Sequence, residues 1–132
     1  MGTWGPGVFE NDHALDLFSL EVARLVKEVE TVLAIERLAF DDLEGPLLYV
    51  HLLALLAREH EVTGLDRTTV ERWKRTYVEA FDSTIGADTD YVAKRRKVIT
   101  RAFDTLARRL PAPAVAPRPA KKTARGRRTS RR

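Results

Sequence analysis

The sequence contains no cysteine. That excludes a disulfide framework and a thiolate metal site. It also lacks an apolar run long enough for a bilayer. The longest, "PLLYVHLLALLA", is interrupted by a histidine and falls short of the roughly 20 apolar residues a spanning helix needs. The start has no basic stretch followed by an apolar block, so no secretory signal is expected. No segment alternates apolar and polar residues as a strand does, and no internal repeat is visible. A Gly-Lys-Ser/Thr phosphate loop, a two-histidine metal motif, a twelve-residue calcium loop and a nucleophile elbow at Ser19 or Ser83 are all missing. Plentiful carboxylates are not by themselves a catalytic pair. The expectation is a cytoplasmic protein without cofactor, metal or membrane contact. No catalytic residue is assigned, and enzymatic activity is the minority reading.

One further absence divides the chain. Residues 111–132, "PAPAVAPRPAKKTARGRRTSRR", contain no acid and eight of the 23 Lys and Arg residues. The other fifteen, with all 19 acids, fall in residues 1–110, which therefore carry a net charge of −4. A mildly acidic body, 1–110, precedes a basic tail, 111–132. Alternating Pro and Ala favour an extended spacer, and the cationic remainder has too little apolar surface to bury, so the tail is expected to be disordered.

The body carries four helical patterns. The first runs from about Asp12 to Ala39, with Leu15, Phe18, Val22, Leu25, Val29 and Val32 on one face. Asn11 or Asp12 supplies its N-cap, and the pattern allows a break near Glu30–Thr31. The second follows "DDLEGP", places Pro46 in its first turn and ends near Glu59. Its leucines leave little polar face, which marks it as the central helix. Gly64 is positioned to end it in a left-handed conformation. The third spans about Thr69 to Ser83, capped by Thr68 with Glu71 or by Asp66. Val70, Trp73, Tyr77 and Phe81 form its apolar stripe. The fourth spans about Asp90 to Leu110, with Val92, Ile99, Phe103, Leu106 and Leu110 inward and Pro111 as its stop. Four helices with short links predict an all-α compact bundle.

Before the first helix stands "MGTWGPGVFENDHALD". Gly2, Gly5 and Gly7 permit sharp turns, which would fold Trp4 and Phe9 onto the bundle as a clasp, with Asn11 and Asp12 closing it at the helix start. The rival reading is a phosphate cradle at a helix N-terminus. Glu10, Asp12 and Asp16 would repel an anion there, so the clasp is favoured. Oxygen ligands at Asn11, Asp12, His13 and Asp16 would suit a hard cation, but capping explains them with fewer assumptions.

This opening resembles that of a family of small bacterial proteins known only as a domain of unknown function. Gly2, Trp4, Gly5, Gly7, Phe9, Asn11, Asp12, Ala14 and Asp16 carry the likeness. A second pattern, "WKRTYVEAFDSTI…YVAKRRKVITRAFDTL", extends it to Trp73, Lys74, Tyr77, Asp82, Ile85, Tyr91, Arg95, Arg96, Val98, Phe103 and Leu106. The chain departs from the pattern between Ile85 and Tyr91, and the tail lies outside it. The resemblance implies membership but no activity, cofactor or catalytic residue.

Two basic clusters remain. In "KRRK" the four positions sweep around a helix. Lys94, Lys97, Arg101 and Arg108 share a solvent side, and Arg95 and Arg96 flank the buried stripe. Salt bridges to Glu71, Glu79 or Asp82 are the plainer explanation. The sharper one makes Lys94, Arg96, Lys97 and Arg101 a docking site for an acidic protein partner, or for phosphate, with Arg96 also able to pin two helix ends by bidentate pairing. In the tail, Arg118, Lys121, Lys122, Arg125, Arg127, Arg128, Arg131 and Arg132 could neutralise phosphates and hold nucleic acid weakly and without sequence preference. No aromatic stands among them for base stacking. His51 and His60, nine apart, point to different faces and make a poor ligand pair, and His51 reads as a core-edge residue. The sequence thus predicts a non-enzymatic interaction module with a protein partner, the alternative being a nucleic-acid-associated protein anchored by its tail.

Overall fold

The structure is a computed structural model that describes residues 3–86 and 89–112. Four helices form: α1 (Asp12–Leu33), α2 (Glu44–Glu59), α3 (Arg67–Thr84) and α4 (Thr89–Arg108), with a 3-10 turn at Phe40–Leu43 before α2. Among the described residues no strand forms; a single antiparallel bridge joins Thr3 and Asn11. The all-α bundle is the expected one. Gly2, the tail cations and the expected disorder of the tail lie outside the described residues.

Paired side chains give the helix directions. Phe18, early in α1, meets His60 just after α2, so these two helices run antiparallel. Lys74 meets Asp104 and Asp82 meets Arg96, so α3 and α4 are also antiparallel. Arg95 reaches Glu44, and Arg109 reaches the Ala54 carbonyl. Helices α2 and α4 therefore lie side by side and parallel, although far apart in sequence.

Asn11 caps α1, its Oδ1 accepting the Ala14 N–H at 2.7 Å. Val22, Leu25 and Val29 are its buried face. The helix stops at Leu33, six residues before the expected Ala39. There the apolar repeat fails: Ile35, Glu36 and Arg37 are exposed. The chain re-enters the core through the 3-10 turn, where the Asp42 carboxylate accepts the Ala39 N–H at 2.8 Å and Leu43 is buried.

In α2, Pro46 sits in the first turn, and Val50 and Leu53 are fully buried. The helix is less enclosed than expected. Leu48 and Leu55 are 53% and 37% exposed, because only the α1 and α4 sides of α2 are covered closely. His60, with extended backbone, caps the helix, so Gly64 does not end it. Gly64 does adopt a left-handed φ of 83°. That turn lets Val62 and Leu65 on either side both enter the core.

Asp66, not Thr68, caps α3, accepting the Thr69 N–H at 2.9 Å. The stripe Val70, Trp73, Tyr77 and Phe81 is buried as expected, opposite Ile99, Phe103 and Leu106 of α4. Large apolar side chains of this kind contribute roughly 1.5–3 kcal/mol each on full burial. The end of α4 is closed from outside itself. Arg67 Nε donates to the Ala107 and Leu110 carbonyls at 3.1 and 3.0 Å, satisfying oxygens that a helix end leaves without partners.

Residues 3–11 do form a closed loop. The Trp4 N–H donates to the Glu10 carbonyl at 3.0 Å, and the Glu10 carboxylate accepts the Gly7 N–H at 2.7 Å. A Cβ at Gly5 or Gly7 would meet that carboxylate and have to displace it from its bond to the Gly7 N–H. The expected role of Trp4 is overturned: it is 57% exposed. Phe9 anchors the loop instead, its ring 5.3 Å from Phe18 and 5.1 Å from His60. With a backbone bridge and carboxylate already closing the turn, one aromatic suffices.

Candidate functional site

Of the four cations proposed for partner docking, the structure uses two internally. Arg96 donates to Asp82 at 2.5 Å and lies over the Phe81 ring, 5.9 Å from its centroid. It does pin the start of α4 to the end of α3, through one guanidinium nitrogen rather than a bidentate fork. Lys94 pairs with Asp90 one turn earlier, at 3.3 Å. Lys97 and Arg101 are exposed and make no ion pair or side-chain hydrogen bond among the described residues.

Arg101 stands at the edge of a groove of about 270 Å³ between α2 and α4. Ala54, Leu55, Val98 and Ala102 supply its apolar walls, and His51, Thr105 and Arg109 its other polar groups. Among the described residues no carboxylate lines it. Arg109 Nη1 is already spent on the Ala54 carbonyl at 2.8 Å. His51 is exposed on this groove, not at the core edge.

Exposed apolar side chains concentrate along the same seam. Leu48 and Leu55 on α2 and Tyr91 and Val98 on α4 are 53%, 37%, 40% and 43% exposed. Leu55 and Val98 line the groove, and Leu48 and Tyr91 stand seven positions earlier on the same helix stripes; together they are four of the nine large exposed apolar residues among those described. Each pair is separated by seven residues, or two helical turns of about 10.5 Å. Carboxylates near this face are neutralised: Glu44 by Arg95 at 3.2 Å, Asp90 by Lys94 and Glu59 by Arg58. The face thus presents apolar ridges with uncompensated positive charge on the α4 rim.

The groups with shifted ionisation lie elsewhere. Burial pushes the Tyr77 phenol up to about 12. Hydrogen bonds from Trp73 and Arg72 hold the Glu30 carboxyl below its ordinary value. The backbone hydrogen bond from Thr69 does the same for Asp66. Each is explained by burial or by a structural hydrogen bond, and none of the three lines the groove. Among the described residues no group of three His, Asp or Glu side chains could hold a metal. No helix among them is long and apolar enough to cross a membrane.

Sequence reasoning named Lys97 and Arg101 but missed Leu48, His51, Leu55 and Val98 as one surface. A signal was present. These side chains fall on the side of each helix left over once the core stripe is assigned. What sequence withholds is that α2 and α4 are neighbours.

Compared with protein families, curated proteins and solved structures, the chain matches none.

Proposed function

We propose that the chain is a non-enzymatic helical interaction module that binds a protein partner through its α2–α4 face. The observation that carries this reading is the gathering of Leu48, Leu55, Tyr91 and Val98 along one seam, since clustered rather than scattered exposed apolar residues mark interaction surfaces. The opening motif supports kinship with the small bacterial family that it resembles. A photo-crosslinker installed at position 48 or 98 tests the reading in the source cells. One protein should be captured from both positions and not from position 28 on the outer side of α1. Capture from all three alike, or from none, rejects it.

A second reading rests on a separate observation. Lys94, Lys97, Arg101 and Arg108 are all exposed and fall within about 60° of one another at 100° per residue. This strip leads toward the tail with its eight cations. A polyanion could follow strip and tail together, neutralising phosphates without reading bases. Gel shift of a 30-base-pair DNA or RNA duplex at low salt, released at high salt, would support it.

A further inference from the structure

We propose that the α2–α4 groove takes the apolar face of an amphipathic helix with acidic flanks, Arg101 and Lys97 pairing its carboxylates. The proposal rests on the protein-partner reading and adds the chemistry of the occupant.

The spacing argues for a helix. Helices α2 and α4 run parallel, and each offers apolar side chains seven residues apart: Leu48 with Leu55, and Tyr91 with Val98. A helix laid along the seam, with apolar residues at positions i, i+3 or i+4 and i+7, shares the repeat of about 10.5 Å that each row has along its own helix. An extended strand, with its side chains alternating between two faces, matches this two-turn spacing less well.

The charge selects an acidic sequence. Each carboxylate beside the face already has a cation, whereas Lys97 and Arg101 have no acid among the described residues. A carboxylate brought to Arg101 gains a partner without displacing one. The same charge disfavours two other occupants. The chain's own tail carries eight cations and no acid. A second copy docked by the same face would bring a second set of uncompensated cations to the seam, and no spare carboxylate, since those beside the face are paired. Nucleic acid satisfies the charge but not the exposed leucines and valine, which a phosphodiester backbone would leave in water.

The test uses the full chain and three fluorescein-labelled 18-residue peptides. The first has leucines in a heptad pattern and glutamate flanks. The second carries the same leucines with lysine flanks. The third is a scramble of the first, with the same composition and no amphipathic face. Fluorescence anisotropy should show the first binding, and the other two binding at least about tenfold more weakly, a difference of about 1.4 kcal/mol. Leu48→Gln should weaken the first peptide about tenfold. Arg101→Glu should weaken it about fivefold and improve the lysine-flanked one, since a rim charge acts through its sign. Both substituted side chains are exposed, and an unchanged circular dichroism spectrum verifies the fold. Equal binding of the scramble, or indifference to Leu48→Gln, shows attraction by charge alone and overturns the proposal. So does displacement of the first peptide by the DNA duplex with no effect of Leu48→Gln, or a concentration-dependent dimer abolished by that substitution. If the peptide fails while crosslinking at positions 48 and 98 still captures one partner, the occupant is wrong and the module reading stands.

Discussion

Trp73 and Glu30, 43 positions apart, are joined by a hydrogen bond of 2.7 Å from the indole N–H to the carboxylate, and Arg72 adds a second at 3.0 Å. The indole is buried and its acceptor lies at the rim of the core. The bond therefore fastens α3 to α1, which otherwise touch less than the other neighbouring helices do.

Glu30→Ala leaves the buried indole N–H without this acceptor and should cost about 1–2 kcal/mol, read as a lower urea midpoint at neutral pH. Glu30→Gln keeps an acceptor and removes the charge, isolating the acid-sensitive part. The Glu30 carboxyl is held below its ordinary value, so its contribution is present above that value and fades as pH falls through the folded one. The carboxylate is 44% exposed, so solvent screening limits this part to under about 1 kcal/mol. Glu30→Gln should lose less stability than the wild type between neutral and acidic pH.

Tyr77 donates its hydroxyl to the Leu43 carbonyl at 2.8 Å, inside the core. Burial raises the phenol from 10.0 to about 12, so its neutral form contributes stability fully below the first value. That contribution disappears as pH rises through the second. Urea midpoints should fall between these limits. Tyr77→Phe should cost about 1–2 kcal/mol at neutral pH and make the alkaline fall shallower.

Phe9, rather than Trp4, holds the N-terminal loop to the bundle. Phe9→Ala should cost about 1.5–2.5 kcal/mol, roughly half the usual figure for a fully buried ring. Trp4→Ala should change stability by less than about 1 kcal/mol. Parallel urea titrations decide between them; a larger loss for Trp4→Ala would refute the assignment.

Arg67 caps α4 from the start of α3. Arg67→Ala should release the last turn. Amide exchange at Arg109 and Leu110, whose N–H groups bond to the Leu106 and Ala107 carbonyls, should speed up. Exchange at Phe103 should stay slow, because that residue is fully buried mid-helix.

Helix α3 was the most legible element, since Val70, Trp73, Tyr77 and Phe81 repeat with a period only a helix satisfies. Its cap was legible only as a choice between Thr68 and Asp66, which local geometry decides. The end of α1 was not readable, because no glycine or proline marks it: the repeat fails at exposed Ile35, Glu36 and Arg37, and Leu38 returns to the core from the link instead of from the helix. Trp4 was misread for a related reason: a loop aromatic is buried only if the bundle leaves room, and Phe9 took the place beside Phe18 and His60. In the groove, Lys97 and Arg101 could be named from one helix. Their setting depends on α2 lying against α4, a pairing that no local pattern encodes.

The groove is assembled from the second helix and the last, with Arg109 near the final turn completing it. During synthesis the surface does not exist until the chain has emerged past that arginine and α4 has docked. Recognition through it, as proposed, would therefore wait on α4: a chain in which α4 is undocked offers no seat. Whatever occupies it favours the finished bundle over every partly formed one, by the free energy of its own association.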